Sequence, residues 1–257
     1  MRMETADAGR AGLPVPGLVI EAANLAYDGV ILFNDLTLEL GAGEWTCLLG
    51  DSGVGKSTLL RIAAGLDAGP GDYGSRLSDG VQSTGRVALM AQRDALLPWL
   101  SALENACLGM RLRGEEAARR RAHAAELLAE VGLEKYRHAR PAALSGGMRQ
   151  RVALVRTLVE DRPIVLLDEP FAALDALNRH WMKDLAARML AGRTVLHVTH
   201  DPLEALRLAH RIVLMEGRPV CLRDEALPPS PPPRPADDEE VAHRHGELLN
   251  RLLNPTL

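Results

Sequence analysis

A chain of 257 residues has room for one large core, or one core with a helical appendage, but two unrelated domains would be cramped in it. Its formal net charge of −4 removes any global drive toward nucleic acid or acidic lipid and leaves only a local basic face as a route to either. Three cysteines, Cys47, Cys107 and Cys221, form an odd, scattered set without metal-ligand spacing, which suits free thiols in a reducing compartment.

The opening segment, residues 1–17, holds no continuous apolar core and does not read as a signal peptide. No later stretch approaches the ~20 apolar residues needed to span a bilayer, so any membrane association is expected to come through a partner. Residues 18–26 and 36–40 alternate apolar and polar side chains, predicting half-exposed antiparallel strands at the edge of a fold. The runs WTCLLG (45–50), RVALM (86–90), IVLLD (164–168), TVLHVT (194–199) and IVLM (212–215) are instead continuously apolar. That is the pattern of short strands covered on both faces. Helical patterns separate several of them, which predicts an α/β fold with a mostly parallel core sheet and the antiparallel strands attached at one side.

Residues 92–141 form a long insert. Its Ala124, Leu127, Leu128 and Val131 are spaced to share one helical face, and the insert is expected to be all helical. The basic run 119–121 within it fits either a nucleic-acid patch or a solvated helix face, the second being the commoner use. From Ala226 the composition changes: PPSPPPRP (228–235) predicts an extended, stiff linker, and DDEE (237–240) adds like charge. Beyond it, Val241, Leu248, Leu249 and Leu252 are spaced for one more amphipathic helix, which docks on the body, binds a partner or stays mobile. The tail is too short for a regulatory domain with its own core.

The first strand of the apolar set ends in GDSGVGKST. Gly50-Asp51-Ser52-Gly53-Val54-Gly55-Lys56-Ser57 fits G-x-x-x-x-G-K-[ST], with Thr58 following, and a helix carrying Leu59, Ile62 and Ala63 on one face comes next. Glycines let the backbone wrap close enough for its N–H groups to surround phosphates; Lys56 would reach the β and γ groups and the Ser57 hydroxyl would ligate Mg²⁺. The run IVLLDEP delivers Asp168 and Glu169 to the C-terminal end of a buried strand, where α/β sheets place their ligands. Asp168 is then a candidate for Mg²⁺, most simply through water, and Glu169 for orienting and deprotonating the attacking water. His200 ends another strand and is a candidate for the γ-phosphate or the water, although a lone histidine is usually structural.

A second Gly-rich loop, LSGGMRQR (144–151), has no lysine to balance a triphosphate. Ser145 reads as an N-cap for a helix whose stripe is Met148, Val152, Val155 and Val159. The loop is therefore either a plain cap or an anion-facing helix start built from Ser145, Gly146 and Gly147.

GDSGVGKST, Gln92 after the RVALM strand, LSGGMRQR, IVLLDEP, AALD (172–175) and VTHD (198–201) occur in the order found in the nucleotide-binding subunits of ABC transporters, which this chain resembles over about residues 18–217. The resemblance implies a P-loop NTPase of ABC type: a mostly parallel core sheet, an N-terminal antiparallel β subdomain and a helical insert at about 92–141. Residues 226–257, the Pro-rich linker and short C-terminal helix, fall outside it. It implies that residues 144–148 are the ABC signature, which completes the ATP site of the opposite subunit, so that two chains joined head to tail would make two composite sites. Tyr27 matches the aromatic position that stacks on adenine, Gln92 the glutamine that touches Mg²⁺ or the attacking water, Asp175 an interface aspartate and His200 the switch histidine. ATP and Mg²⁺ are the implied cofactors. Asp51 stands where many relatives have proline and Ala172 where serine is common; neither change removes a phosphate or metal ligand.

The resemblance further implies the ATPase of a bacterial importer on the cytoplasmic face of the inner membrane. Its partners would be a second copy of itself, integral membrane permease subunits and, indirectly, a periplasmic or lipid-anchored solute-binding protein, with no nucleic acid. ALLPWLSALENACLG (95–109) resembles the nitrate, sulfonate and taurine importer group, and ARPAALSGGMRQR (139–151) with TLVEDRPIVLLDEPFAALDALNRH (157–180) resembles members assigned to hydroxymethylpyrimidine, a thiamine precursor. The alternative is a non-transport ABC ATPase. A DNA-repair machine would need a very long coiled-coil insert between Lys56 and Ser145, translation-type proteins usually carry two nucleotide domains in one chain, and a non-catalytic ATP-binding regulator would show no steady turnover.

Overall fold

The computed structural model describes residues 15–253, except 82, 84 and 236. Two sheets organise them. The first is antiparallel, in the order β2 (Val30–Leu40), β1 (Leu18–Tyr27), β4 (Gly71–Leu77). The second has six strands in the order β5 (Val87–Met90), β6 (Ile164–Asp168), β7 (Thr194–Val198), β3 (Trp45–Gly50), β8 (Arg211–Glu216), β9 (Cys221–Glu225), parallel except for the β8–β9 pair.

The apolar runs of the second sheet are continuous because successive side chains serve different cores. Val165 and Leu167 of β6 and Val195 of β7 enter one cluster, packed by helices of the insert and of the C-terminal half. Ile164 and Leu166 of β6 and Leu196 and Val198 of β7 enter the other, shared with the antiparallel sheet and α1 (Lys56–Ala63). Every residue of β6 and β7 is buried, as a parallel sheet layered on both faces requires. Among the described residues, no helix is long and apolar enough to cross a membrane.

β4 and β9 were not predicted. GDYGSRL has two glycines and mostly exposed positions, and CLRDE has no buried residue, so neither carries a pattern of its own; pairing along β1 and β8 makes them strands. β2 also begins six residues earlier than the alternation at 36–40 suggests, because register shifts and positive φ at Ala22 (43°) and Asp35 (52°) interrupt the period of two.

In the insert, α2 (Ala102–Ala106), α3 (Leu108–Leu112) and α4 (Ala117–Glu130) form, followed by 3₁₀ turns at Glu134–Tyr136 and Pro141–Ala143. Ser101 starts α2 with a capping box completed by Glu104. Ala124, Leu127, Leu128 and Val131 are all buried. Residues 92–101, however, are loop rather than helix. Buried Asn105 holds that loop, accepting from Leu97 N at 2.8 Å and donating to the carbonyls of Leu97, Leu100 and Ser101. The hydrogen bonds a helix would supply are made by one side chain instead. α5 (Gly146–Leu158), α6 (Ala176–Met189) and α7 (Pro202–Leu208) complete the body.

Of the three fates left open for the tail, the structure has it docked. Arg234, in the proline-rich stretch, is 3% exposed and donates to the carbonyls of Leu206, Ala209, Pro228 and Ser230. α8 (Glu239–Leu253) lies against α7 with Val241 and Leu248 buried and Leu252 packed beside them. Leu249 is exposed and does not share the buried face assigned to it.

Candidate functional site

Gly50 ends β3 with φ of 154°, and a Cβ there would lie 2.5 Å from the Met215 carbonyl of neighbouring β8; only glycine lets the chain turn off the strand at this point. Gly55, at φ 111°, caps α1. Between them the loop curls around Lys56, whose Nζ donates to the carbonyls of Gly50 (2.6 Å) and Asp51 (2.8 Å). Burial pulls the Lys56 ammonium below its usual pKa, opposed by the charges of Glu169, Asp168 and Asp51. A desolvated cation on a glycine loop is prepared for a phosphate group.

β6 lies next but one to β3, with β7 between them. At its end Asp168 Oδ2 accepts the Ser57 hydroxyl at 2.8 Å. Burial raises the Asp168 carboxyl pKa, against the Ser57 hydrogen bond. Glu169 follows with φ of 47°, a left-handed backbone unusual for glutamate and held by Glu169 N donating to Val198 O (2.9 Å) and Gln150 Nε2 donating to Glu169 O (3.1 Å). Such strain persists only where neighbours over-determine it, and it concentrates at reacting centres. The Glu169 carboxylate is 3.3 Å from Nδ1 of His200, at the end of β7.

Lys56, Ser57, Asp168 and Glu169 open onto one cleft of about 650 Å³, whose lining also includes Tyr27, Ser52, Gly53, Gly55, Thr58 and Gln92. Gly50 and Asp51 do not line it and act through the carbonyls that hold Lys56, whereas Val54 is buried in the core beneath the loop. The Tyr27 hydroxyl donates to the Ala68 carbonyl, which fixes the half-exposed ring in the cleft wall. His200 borders a much smaller cavity behind Glu169, shared with Phe171 and Arg179. Asp28, Val30, Leu32 and Arg218 also line the main cleft. Sequence reasoning missed all four: they lie in the β1–β2 turn, in β2 and in the β8–β9 turn, where no motif marks them.

The second Gly-rich loop is elsewhere. Ser145 Oγ accepts Met148 N at 3.2 Å, the N-cap bond, and Ser145 and Gly146 are exposed while Gly147 packs close to Leu174. None of the three lines the cleft of its own chain. Behind this loop Arg149 pairs with Asp94 (2.9 Å), and Arg156 donates to the carbonyls of Asp94 and Ala95, so α5 is tied to the segment that follows Gln92.

Oxygen donors at the Ser57–Asp168 meeting point, with the Gln92 side chain on the same cleft, suit a hard cation. Among the described residues no group of three or more His, Cys, Asp or Glu side chains is placed to hold a metal alone. Magnesium needs no such cage, being held by one or two protein oxygens together with substrate phosphates.

Parallel sheet, glycine loop, returned lysine and strand-end carboxylates together define a P-loop nucleoside triphosphatase. The family model described as ABC transporter matches residues 33–172. An uncharacterized ABC transporter ATP-binding protein of Haemophilus influenzae is 41% identical over 236 residues, covering 91% of this chain and 97% of that one. The aliphatic sulfonates import ATP-binding proteins SsuB 1 of Rhodococcus jostii and SsuB of Escherichia coli K12 are 43% and 40% identical, covering 92% of this chain and 94% and 91% of theirs. The dimeric post-hydrolysis state of the ATP-binding cassette MJ0796 bound to ADP and Pi superposes with a TM-score of 0.72 at 29% identity, over 83% of this chain and 100% of that one. The chain belongs to the ABC transporter family, as one of its ATP-hydrolysing cassettes.

Proposed function

We propose that this chain is the motor subunit of an ABC importer, in which two copies close head to tail on ATP and separate after hydrolysis. The observation that carries this is the division of the phosphate-binding apparatus: a complete loop faces a cleft, while Ser145, Gly146 and Gly147 present a bare helix start outside it. A second copy, turned about a two-fold axis, would bring that helix start to the γ-phosphate. The dimeric form in which the MJ0796 cassette is known supports the same reading.

Within each site Lys56 and the loop amides bind the β- and γ-phosphates, and Tyr27 offers its ring to the base. Ser57, Asp168 and Gln92 would hold Mg²⁺, which supplies charge neutralisation for the leaving phosphate. Glu169 takes the proton of the attacking water, a general-base contribution typically worth about 10²–10⁴ in rate, and His200 orients the γ-phosphate or that water. We assign residues 18–217 to the nucleotide-binding domain, with the helical subdomain at about 92–141 as the contact for permease subunits. The subunit would then sit peripherally on the cytoplasmic face of the inner membrane, served by a solute-binding protein outside.

The cargo is a small solute of the sulfonate, nitrate and taurine type, a reading supported by the sulfonate importers at 40% and 43% identity; the wording of residues 139–151 and 157–180 favours hydroxymethylpyrimidine as the second reading. Cellular uptake of labelled alkanesulfonate, taurine, nitrate and hydroxymethylpyrimidine, with and without the chain, discriminates among them. For the motor itself, Glu169→Gln should bind ATP with unchanged affinity, lose steady turnover and accumulate as a dimer in light scattering. A monomer at saturating ATP, or persistent turnover, would overturn the assignment.

A further inference from the structure

His200 faces a problem of precision. Its side chain is 65% exposed and its recorded partner is Glu169, 3.3 Å away. A solvated imidazole with one partner is placed accurately only if its backbone is fixed.

The residues around it supply that fixing. One position after His200, Asp201 N donates to Thr199 Oγ1 (3.1 Å), and Asp201 Oδ1 caps α7 by accepting from Leu203 N and Glu204 N. Its other oxygen accepts from Lys183 Nζ at 3.1 Å. Lys183 comes from α6, is 5% exposed, and also lies 3.0 Å from Glu204 Oε2. Glu204 in turn places Oε1 2.8 Å from His197 Nε2, three positions before His200 on β7. The Trp45 indole N–H donates to His197 Nδ1 at 3.3 Å, and the rings of Trp45 and Phe171 meet the imidazole edge-on at 5.8 and 5.7 Å. Both flanks of His200 therefore converge on a single ammonium.

We propose that Lys183 is a positioning residue for His200: bridging Asp201 and Glu204, it fixes the strand end that presents the imidazole to Glu169. A buried ion cluster is poor at adding stability, since apolar side chains of similar volume usually serve as well or better. What it adds is directional: an ammonium between two carboxylates admits few arrangements, and each carboxylate belongs to a segment next to the reacting groups. Nothing in the phosphate-loop motif or the strand-end motif points to position 183.

The inference rests on the proposed roles of Glu169 and His200, and the experiment separates the two levels. Steady-state ATPase kinetics are measured on the full chain carrying Lys183→Met, His200→Ala and both, with nucleotide affinity and thermal melting as controls. Lys183→Met should lower kcat about 10- to 100-fold with KM within about twofold of the parent, as expected for misplacement near the chemistry, and Lys183→Arg should recover most of the loss. In the His200→Ala background the same substitution should change kcat by less than about twofold, the non-additivity of residues acting through one group. Equal losses in both backgrounds, or an unchanged kcat in folded Lys183→Met, would overturn the proposal. If Lys183→Met does not fold, the cycle run with Lys183→Gln carries the same two outcomes. A wild-type chain without turnover, or full turnover in Glu169→Gln or His200→Ala, would instead overturn the function on which it builds.

Discussion

Lys56 gives up most of its water to sit inside the phosphate loop, and in this structure the carbonyls of Gly50 and Asp51 occupy two of its donors. Although burial lowers its pKa, its acidic neighbours favour the charged form. A hydrogen bond to a charged group is worth about 1.5–3 kcal/mol, so Lys56→Ala should weaken ATP binding roughly 10- to 100-fold, measured by titration with a fluorescent nucleotide; unchanged affinity would remove the lysine from the site. Glu204 makes a different prediction. Burial works to raise its pKa, but His197 and Lys183 more than offset that and hold it at about 2, against its ordinary 4.5. Its folded-state pKa is thus depressed, so its contribution is complete above pH 4.5 and is lost as pH falls toward 2. Chemical denaturation from pH 6 downward should therefore show a steeper loss of stability in the wild type than in Glu204→Gln, and parallel curves would refute the depressed pKa. Motif residues and cluster residues also differ in legibility. Lys56, Ser57, Asp168 and Glu169, which the structure brings onto one cleft, stand out in the sequence because phosphate chemistry demands those types at fixed spacing, whereas the proposed role of Lys183, with His197 and Glu204, is geometric and leaves no fixed spacing in the chain.

Elements of this fold are legible in proportion to how much of their pattern they own. β3, β6 and β7 bury both faces, at roughly 1.5–3 kcal/mol for each large apolar side chain, and their composition shows it. β4 and β9 take their conformation from the strand they pair with, so their own residues are uninformative. The loop 92–101 misled the helical reading because Asn105 substitutes for helix hydrogen bonds, a trade invisible until the fold brings both together. The proline-rich tail lies between these cases. Its composition predicts an extended, stiff linker, whereas the stretch bends at 229–230 and 232–233, and the decisive residue is Arg234, a cation at the C-terminal end of α7, where unpaired carbonyls and the helix dipole both favour positive charge. Arg234→Ala leaves the carbonyls of Leu206 and Ala209 without that donor, at about 1–3 kcal/mol for an unsatisfied buried group. For a chain of this size each kcal/mol corresponds to about 2–4 °C in Tm. The variant should melt several degrees lower, with faster amide exchange in α7 and α8 than in β6. Unchanged exchange in α8 would mean that Val241 and Leu248 alone hold the tail.

At the scale of the whole molecule, the proposed function gives a lone chain half of each of two sites. Its cleft is lined by the phosphate loop and the strand-end carboxylates, whereas Ser145 and Gly146 are exposed and lie outside that lining. Complementation between two inactive variants tests whether the halves belong to different copies. Lys56→Ala disables the phosphate loop and leaves Ser145 to Gly147 intact; Ser145→Arg blocks the helix start and leaves Lys56 intact. The second change costs the chain's own fold little more than one N-cap, about 1 kcal/mol. In a head-to-tail pair of the two variants, one site combines both lesions and the other combines neither. Random mixing makes half of the dimers mixed and each mixed dimer has one sound site, so two preparations that are separately inactive should together recover up to about a quarter of wild-type ATPase activity for a two-fold symmetric assembly. Recovery should rise with protein concentration, because pairing is bimolecular. If each chain encloses its own triphosphate, no mixing ratio restores turnover, and the Ser145→Arg chain alone should hydrolyse ATP at the wild-type rate.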